Sequence, residues 1–241
     1  MVNSGASSNQ SADATTKRRL IYGRRRGRKL RTGQAELWKE LLPRLRFTVP
    51  ESGTLDPRAL FDPPVEEIWL EIGFGAGEHL AQQAAANPHA GIIGVEIFET
   101  GVAKLVASVA AAKLGNVRIL IDDARLLLAA LPDGSLDRVF ILFPDPWPKK
   151  RHQKRRIVAP ATLVQLARTM RPGAELRLAT DDPDYLRAML AAATEAPGFE
   201  WLARRAVDWR ERTADWPSTR YEKKALAAGR TPAFLRFRRK V

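Results

Sequence analysis

Ile68-Trp69-Leu70-Glu71-Ile72-Gly73-Phe74-Gly75-Ala76-Gly77-Glu78 reads as a strand that runs straight into a glycine turn. The apolar run suits a strand covered on both faces, as in a parallel sheet. The three glycines let the backbone turn tightly and come close to a ligand without a Cβ in the way. Moving outward, strand-like runs recur at Ile92–Ile97, Val117–Ile121, Val139–Phe143 and Glu175–Ala179. Helix-like stretches separate them at Glu78–Ala86, Gly101–Leu114, Arg125–Ala130 and Ala161–Met170, and a further helix fits Pro183–Ala193. Alternation of this kind predicts an α/β fold with a doubly wound, mostly parallel sheet. Two tail segments, Phe199–Ala206 and Phe234–Arg238, are expected to add an antiparallel edge pair.

The chain before this rhythm is of another kind. Residues 1–16 are polar and lack a hydrophobic period, which predicts disorder. Lys17 to Arg31 reads KRRLIYGRRRGRKLR. Residues 1–31 carry nine Lys/Arg against Asp13 alone and supply +8 of the formal charge of +13. The expected organisation is therefore a disordered basic arm, 1–31, and one domain, 32–241. A short helix is expected over Gln34–Leu42, stopped by Pro43, and Pro50, Pro57, Pro63 and Pro64 mark a connecting loop.

Composition narrows the function classes. There are no cysteines and only three histidines, His79, His89 and His152, so thiolate chemistry is excluded and a metal site is not expected. No apolar run approaches the ~20 residues of a membrane span, and the polar start does not read as a secretory signal. A protein of the cytoplasm is expected. Both parts of the chain are basic, which favours a polyanionic partner, while charge alone does not separate that from a solvated basic surface.

In a doubly wound sheet ligands gather beyond the carboxyl ends of the strands. The first strand ends at Glu71, before Gly73, Gly75 and Gly77. The second ends at Glu96, about 20 residues on, where an acid can accept both hydroxyls of a ribose. The third ends at Asp122 and Asp123, either of which can accept from an adenine amino group. Glu78 stands where a dinucleotide fingerprint wants its third glycine, which argues against a nicotinamide dehydrogenase. An acid followed by G-x-G-x-G opens many S-adenosylmethionine enzymes, whose ligand carries an ammonium and a sulfonium rather than a pyrophosphate.

The fourth strand runs into Phe143-Pro144-Asp145-Pro146-Trp147-Pro148-Lys149-Lys150-Arg151-His152-Gln153-Lys154-Arg155-Arg156. Prolines on both sides of Asp145 stiffen the loop and present a carboxylate beside an indole. Such a pair can orient and stack a planar base. Six Lys/Arg from 149 to 156 fit a nucleic acid better than a small-molecule substrate, and the intact glycines and acids argue against a non-catalytic binding protein.

Together with EIGFGAGEHL before it and TRYEKKALAAG after it, the run FPDPWPKKRHQKRRIV resembles the bacterial tRNA (guanine-N7-)-methyltransferase family, over about residues 20 to 241. The resemblance implies a class I, Rossmann-like S-adenosylmethionine-dependent fold. It also implies transfer of a methyl group from S-adenosyl-L-methionine to N7 of a variable-loop guanine of tRNA. Carried across motif by motif, it places Glu71, Glu96 and Asp123 at the cofactor and Asp145 at the catalytic position, also against the cofactor. Lys149, Asp181 and the T-x-x-E element Thr219, Arg220, Tyr221 and Glu222 fall on the substrate side. Partners are tRNA, with no metal and no membrane; monomer and homodimer stay open.

Overall fold

The computed structural model describes residues 23, 25–27 and 29–241. Seven strands form one sheet in the order β3-β2-β1-β4-β5-β7-β6. In chain order the elements are α1 (Thr32–Glu40), α2 (Leu42–Leu45), β1 (Glu67–Ile72), α3 (Glu78–Ala86), β2 (Ala90–Val95), α4 (Glu99–Ala112), β3 (Val117–Leu120) and α5 (Ala124–Ala130). Then follow β4 (Leu136–Leu142), α6 (Pro160–Thr169), β5 (Met170–Thr180), α7 (Pro183–Glu195), β6 (Phe199–Trp201), α8 (Val207–Arg210), α9 (Arg220–Ala227) and β7 (Ala233–Arg239). The first five strands pair in parallel. β7 lies antiparallel between β5 and β6, so the expected edge pair is present.

The two-residue period of the strands divides the interior. Ile68, Leu70 and Ile72 of β1 join a core with Leu127 of α5, Leu163 of α6 and Met189 of α7. Trp69 of β1 and Phe140 of β4 join a second core with Leu80 of α3 and Val102, Leu105 and Val109 of α4. Each fully buried Leu, Ile or Val side chain contributes about 1.5–3 kcal/mol. Strand order reverses at β1, flanked by β2 and β4, and the crevice at that switch point is where ligands bind in such sheets.

Departures from the expected boundaries have local causes. β2 stops at Val95, not Ile97, because the Glu96 side chain accepts the backbone N–H groups of Ile97 and Phe98 at 2.7 and 3.0 Å. β6 stops at Trp201, because the Asp208 carboxylate accepts from the backbone nitrogens of Arg204 and Arg205 and turns the chain. Pro43 does not end the first helix; α1 closes at Glu40, and Pro43 occupies the first turn of α2, where its missing N–H costs nothing. α9 was not expected as a helix. Thr219 caps it by accepting from the backbone N–H of Glu222 at 3.1 Å.

The expected disorder over 1–31 lies mostly outside the described residues. Of those described, Arg25 gives its carbonyl to the backbone N–H of Glu99, the first residue of α4, at 2.9 Å. Gly27 packs so closely on α4 that a Cβ would stand 2.1 Å from Thr100 Oγ1.

Candidate active site

A cavity of about 370 Å³ opens at the carboxyl ends of β1, β2, β3 and β4. Gly73 and Gly75 form its floor, Glu96 and Asp122–Asp123 one wall, and Phe143 to Asp145 with Trp147 the other. Gly75 has φ +58°, and a Cβ there would come 3.1 Å from the Tyr221 ring. Gly77, at φ +77°, caps α3 from behind the cavity, and a Cβ there would strike Leu105 at 2.7 Å. Backbone sign calls for glycine at both positions, and at Gly77 space does so as well.

The acids differ in how they are held. Glu96 accepts from the backbone N–H of Gly75 at 2.9 Å as well as from Ile97 and Phe98, so it ties the glycine turn to the end of β2. Burial raises its pKa against the lowering by these three donors, and the nearby charge of Asp145 pushes the same way as burial. Asp123 is buried; it caps α5 by accepting from Arg125 N at 2.9 Å and pairs with the Arg125 guanidinium at 3.3 Å. Asp122 lines the cavity beside it and accepts from Asp123 N at 2.9 Å.

Glu71, expected at the cofactor, is not among the lining residues. It lies on the Trp69 side of the sheet, where its carboxylate meets His79 Nδ1 at 2.7 Å, both side chains being buried. His79 in turn meets Gln83, which donates to the carbonyl of Asp215 at 2.8 Å. The glycine turn is therefore tied through α3 to the loop before α9.

On the opposite wall, Phe143 and Trp147 have φ of +51° and +45°. Side-chain-bearing residues adopt this region at a cost of about 1–3 kcal/mol each, and the two bracket Asp145, which is exposed at the cavity. Arg156 holds the loop in place. It is buried, donates to the carbonyl of Pro146 at 2.8 Å, pairs with Asp184 and lies 4.6 Å over the ring of Tyr185. The Tyr185 hydroxyl accepts from Val158 N at 3.1 Å, and burial pushes its pKa up to about 12.

A family model, "Putative methyltransferase", matches residues 65–235. The chain is 51% identical over 225 residues to the tRNA (guanine-N(7)-)-methyltransferase of Rhodospirillum rubrum, covering 91% of this chain and 88% of that one. It is 48% identical over 234 residues to the enzyme of the same name from Paramagnetospirillum magneticum, covering 96% and 98%. The chain belongs to the tRNA (guanine-N7-)-methyltransferase family. Among solved structures, a variant of the 16S rRNA (adenine(1408)-N(1))-methyltransferase from Catenulisporales acidiphilia with its cosubstrate SAM superposes with a TM-score of 0.51 at 20% identity. It covers 73% of this chain and 87% of that one, a likeness of fold.

The cavity suits the family's cofactor. Its acid-rich wall of Glu96, Asp122 and Asp123 offers acceptors for hydroxyl and amino groups and counter-charge for a cationic ligand. Of the residues the family motifs assign to the substrate, Tyr221 alone lines the cavity; its ring lies near-parallel to Phe143, 6.5 Å between centroids. Arg220 donates to the Tyr221 hydroxyl at 2.9 Å and stands 3.8 Å from Glu78. Thr219 and Glu222 are buried and build α9, with Glu222 accepting from Arg212 at 2.8 Å. Asp181 pairs with Arg230 at 2.6 Å. Lys149 is exposed just outside the cavity. Among the described residues, no group of three or more His, Cys, Asp or Glu could hold a metal, and no helix is long and apolar enough to cross a membrane.

Several residues at the cavity went unread in the sequence. Phe98, Arg125, Phe143, Arg155 and Ile157 line it, as does Gly23 of the basic segment. Phe143 is the one with a signal, since it directly follows a strand and precedes a proline. Arg155, whose guanidinium lies 4.8 Å from the Trp147 ring, was hidden among five other cations.

Proposed function

We propose that this chain methylates N7 of a guanine in the variable loop of tRNA, in the cytoplasm, with Asp145 as the residue that acts on the base. It is a methyltransferase that uses S-adenosyl-L-methionine. The observation that carries the assignment to Asp145 is its place: an exposed carboxylate at the cavity mouth, on a loop fixed by Arg156 and by two left-handed residues. When bound, S-adenosyl-L-methionine supplies an electrophilic methyl group on its sulfonium.

Guanine N7 carries a lone pair and no proton, so no general base is needed, and positioning with electrostatic stabilisation suffices. Asp145 accepts hydrogen bonds from guanine N–H groups and offsets the positive charge that the purine acquires. Tyr221 and Phe143 flank the base. Glu96, with Asp122 or Asp123, holds the nucleoside part of the cofactor. Glu71 acts through the backbone it supports, by way of His79. Lys149, Lys150, Arg151 and Lys154, all exposed, meet phosphates, while Arg156 is structural. Asp181 and α9, through Thr219, Arg220 and Glu222, shape the substrate side. Residues 32–241 form the catalytic domain and 1–31 an arm that adds phosphate contacts.

The deciding experiment incubates the protein with labelled S-adenosyl-L-methionine and bulk tRNA, digests the RNA and maps the product. 7-Methylguanosine in the variable loop is expected; label in another nucleoside or another loop overturns the reading.

A further inference from the structure

Away from the cavity, two hollows of about 400 Å³ each lie side by side beyond the antiparallel edge of the sheet. Arg204, Arg205, Arg212 and Arg236 line the first; Arg210, Arg212, Glu222 and Phe234 line the second. They share Glu211, Arg212 and Thr213. Together they make a groove that starts where the chain leaves β6 and ends under α9, the helix whose Tyr221 stands at the cavity.

Charge is concentrated in this part of the chain. Residues 204–241 hold twelve Lys/Arg against four Asp/Glu, a surplus of +8, whereas residues 32–203 hold nineteen against twenty-two. Three of those four acids are occupied internally. Asp208 accepts from two backbone N–H groups, Asp215 is held by Arg177 at 2.6 Å, and Glu222 by Arg212. Arg204, Arg205 and Arg210 are exposed. Arg204 has no ion pair among the described residues, Arg205 has only a loose contact with Asp208 at 3.4 Å, and Arg210 lies 5.1 Å over the Trp209 ring. At the other end of the groove, Glu222 Oε2 is buried without a hydrogen-bond partner among the described residues.

We propose that this groove binds the ribose-phosphate backbone of the tRNA outside the loop that enters the active site. The proposal rests on the tRNA reading above and adds a second docking surface to it. Guanidiniums spread along a groove match successive phosphates of a polyanion rather than one small anion, which would need them to converge. The groove and the cavity share α9, so RNA lying in one reaches the other without crossing the fold.

The test is direct binding of tRNA to the full chain as a function of salt, beside the triple variant Arg204→Glu, Arg205→Glu, Arg210→Glu and its glutamine counterpart. All three side chains are exposed, so both variants should melt with the wild-type protein and bind S-adenosyl-L-methionine with unchanged affinity. The glutamine variant is expected to bind tRNA at least about tenfold more weakly. Its salt slope should be shallower by about 1 for each phosphate that the protein no longer neutralises, and the glutamate variant should be weaker still. A short hairpin that carries only the target loop should bind both variants as it binds the wild type. Wild-type affinity and slope for whole tRNA in the folded variants would overturn the proposal. Because binding is read without methyl transfer, failure of the wild-type chain to methylate tRNA would sink the functional reading and leave this one to stand or fall on the binding curves.

Discussion

The two walls of the cavity are built by opposite means. The cofactor wall is made from what the sheet supplies: a glycine turn, a carboxylate that gathers three backbone N–H groups, and an aspartate that doubles as a helix cap. Its parts are satisfied locally. The reaction wall is a proline-framed loop held in a costly conformation by residues from elsewhere, chiefly Arg156, Asp184 and Tyr185. A wall closed upon itself tolerates change around it. A wall held from outside loses its shape when a remote prop is removed.

The largest effect should come from Asp145, the residue proposed to act on the base. Asp145→Ala is expected to lower turnover by at least about 10²–10³-fold while cofactor affinity, read by calorimetry, shifts little. Near wild-type turnover would show that this wall presents nothing the reaction needs. Next comes the prop. Arg156→Ala removes charge-assisted hydrogen bonds worth about 1.5–3 kcal/mol each, so thermal unfolding should move down and activity with it. Lys149→Ala, seven residues earlier in the same run, should leave melting unchanged and raise the tRNA KM. Equal melting of the two variants would erase the distinction between a clamp and a phosphate-binding side chain.

The cofactor wall should show itself through pH. The proposed role of Glu96, accepting from the cofactor's hydroxyls, calls for its ionised form, and burial raises its pKa above the ordinary 4.5. Cofactor affinity should therefore fall on acidification earlier than an ordinary carboxylate would require, and Glu96→Gln should flatten that dependence. A loss confined to pH below 4.5 would contradict it. The smallest effect concerns stability. Burial opposes ionisation of Asp215, yet Arg177, Thr213 and Arg138 bring its pKa down to about 2 from 3.8. Its stabilising contribution is present above 3.8 and is lost as pH falls through about 2. Acid unfolding of Asp215→Asn should lack that component.

The placement of the glycine turn and of the acids beside it at the cavity was legible in the sequence, because local chemistry fixes it. α3 begins at Glu78 and ends at Ala86 as its pattern implies, and the glycines and the acids at 96, 122 and 123 fall at strand ends. What escaped reading depended on partners far along the chain. Glu71 was placed at the cofactor by the family motif, and its contact with His79, which strand alternation brings about on the Trp69 side, could not be read from the turn alone. Arg156 looked like one more phosphate-binding cation, and only folding brings Asp184 and Pro146 to it. α9 did carry a local signal, since Thr219 and Glu222 stand in the spacing of a capping box; the same letters also spell a family motif, and that reading hid the helix.

The buried line from Glu71 through His79 and Gln83 to the carbonyl of Asp215 acts as a ruler. It sets the span between the floor of the cavity and the helix that overhangs it, inside the protein and out of reach of any ligand. Its three contacts are made between the chain's own groups, so the spacing of floor and helix is held without help from a ligand. Shortening that line at His79 should loosen discrimination between purine and pyrimidine before it slows the reaction.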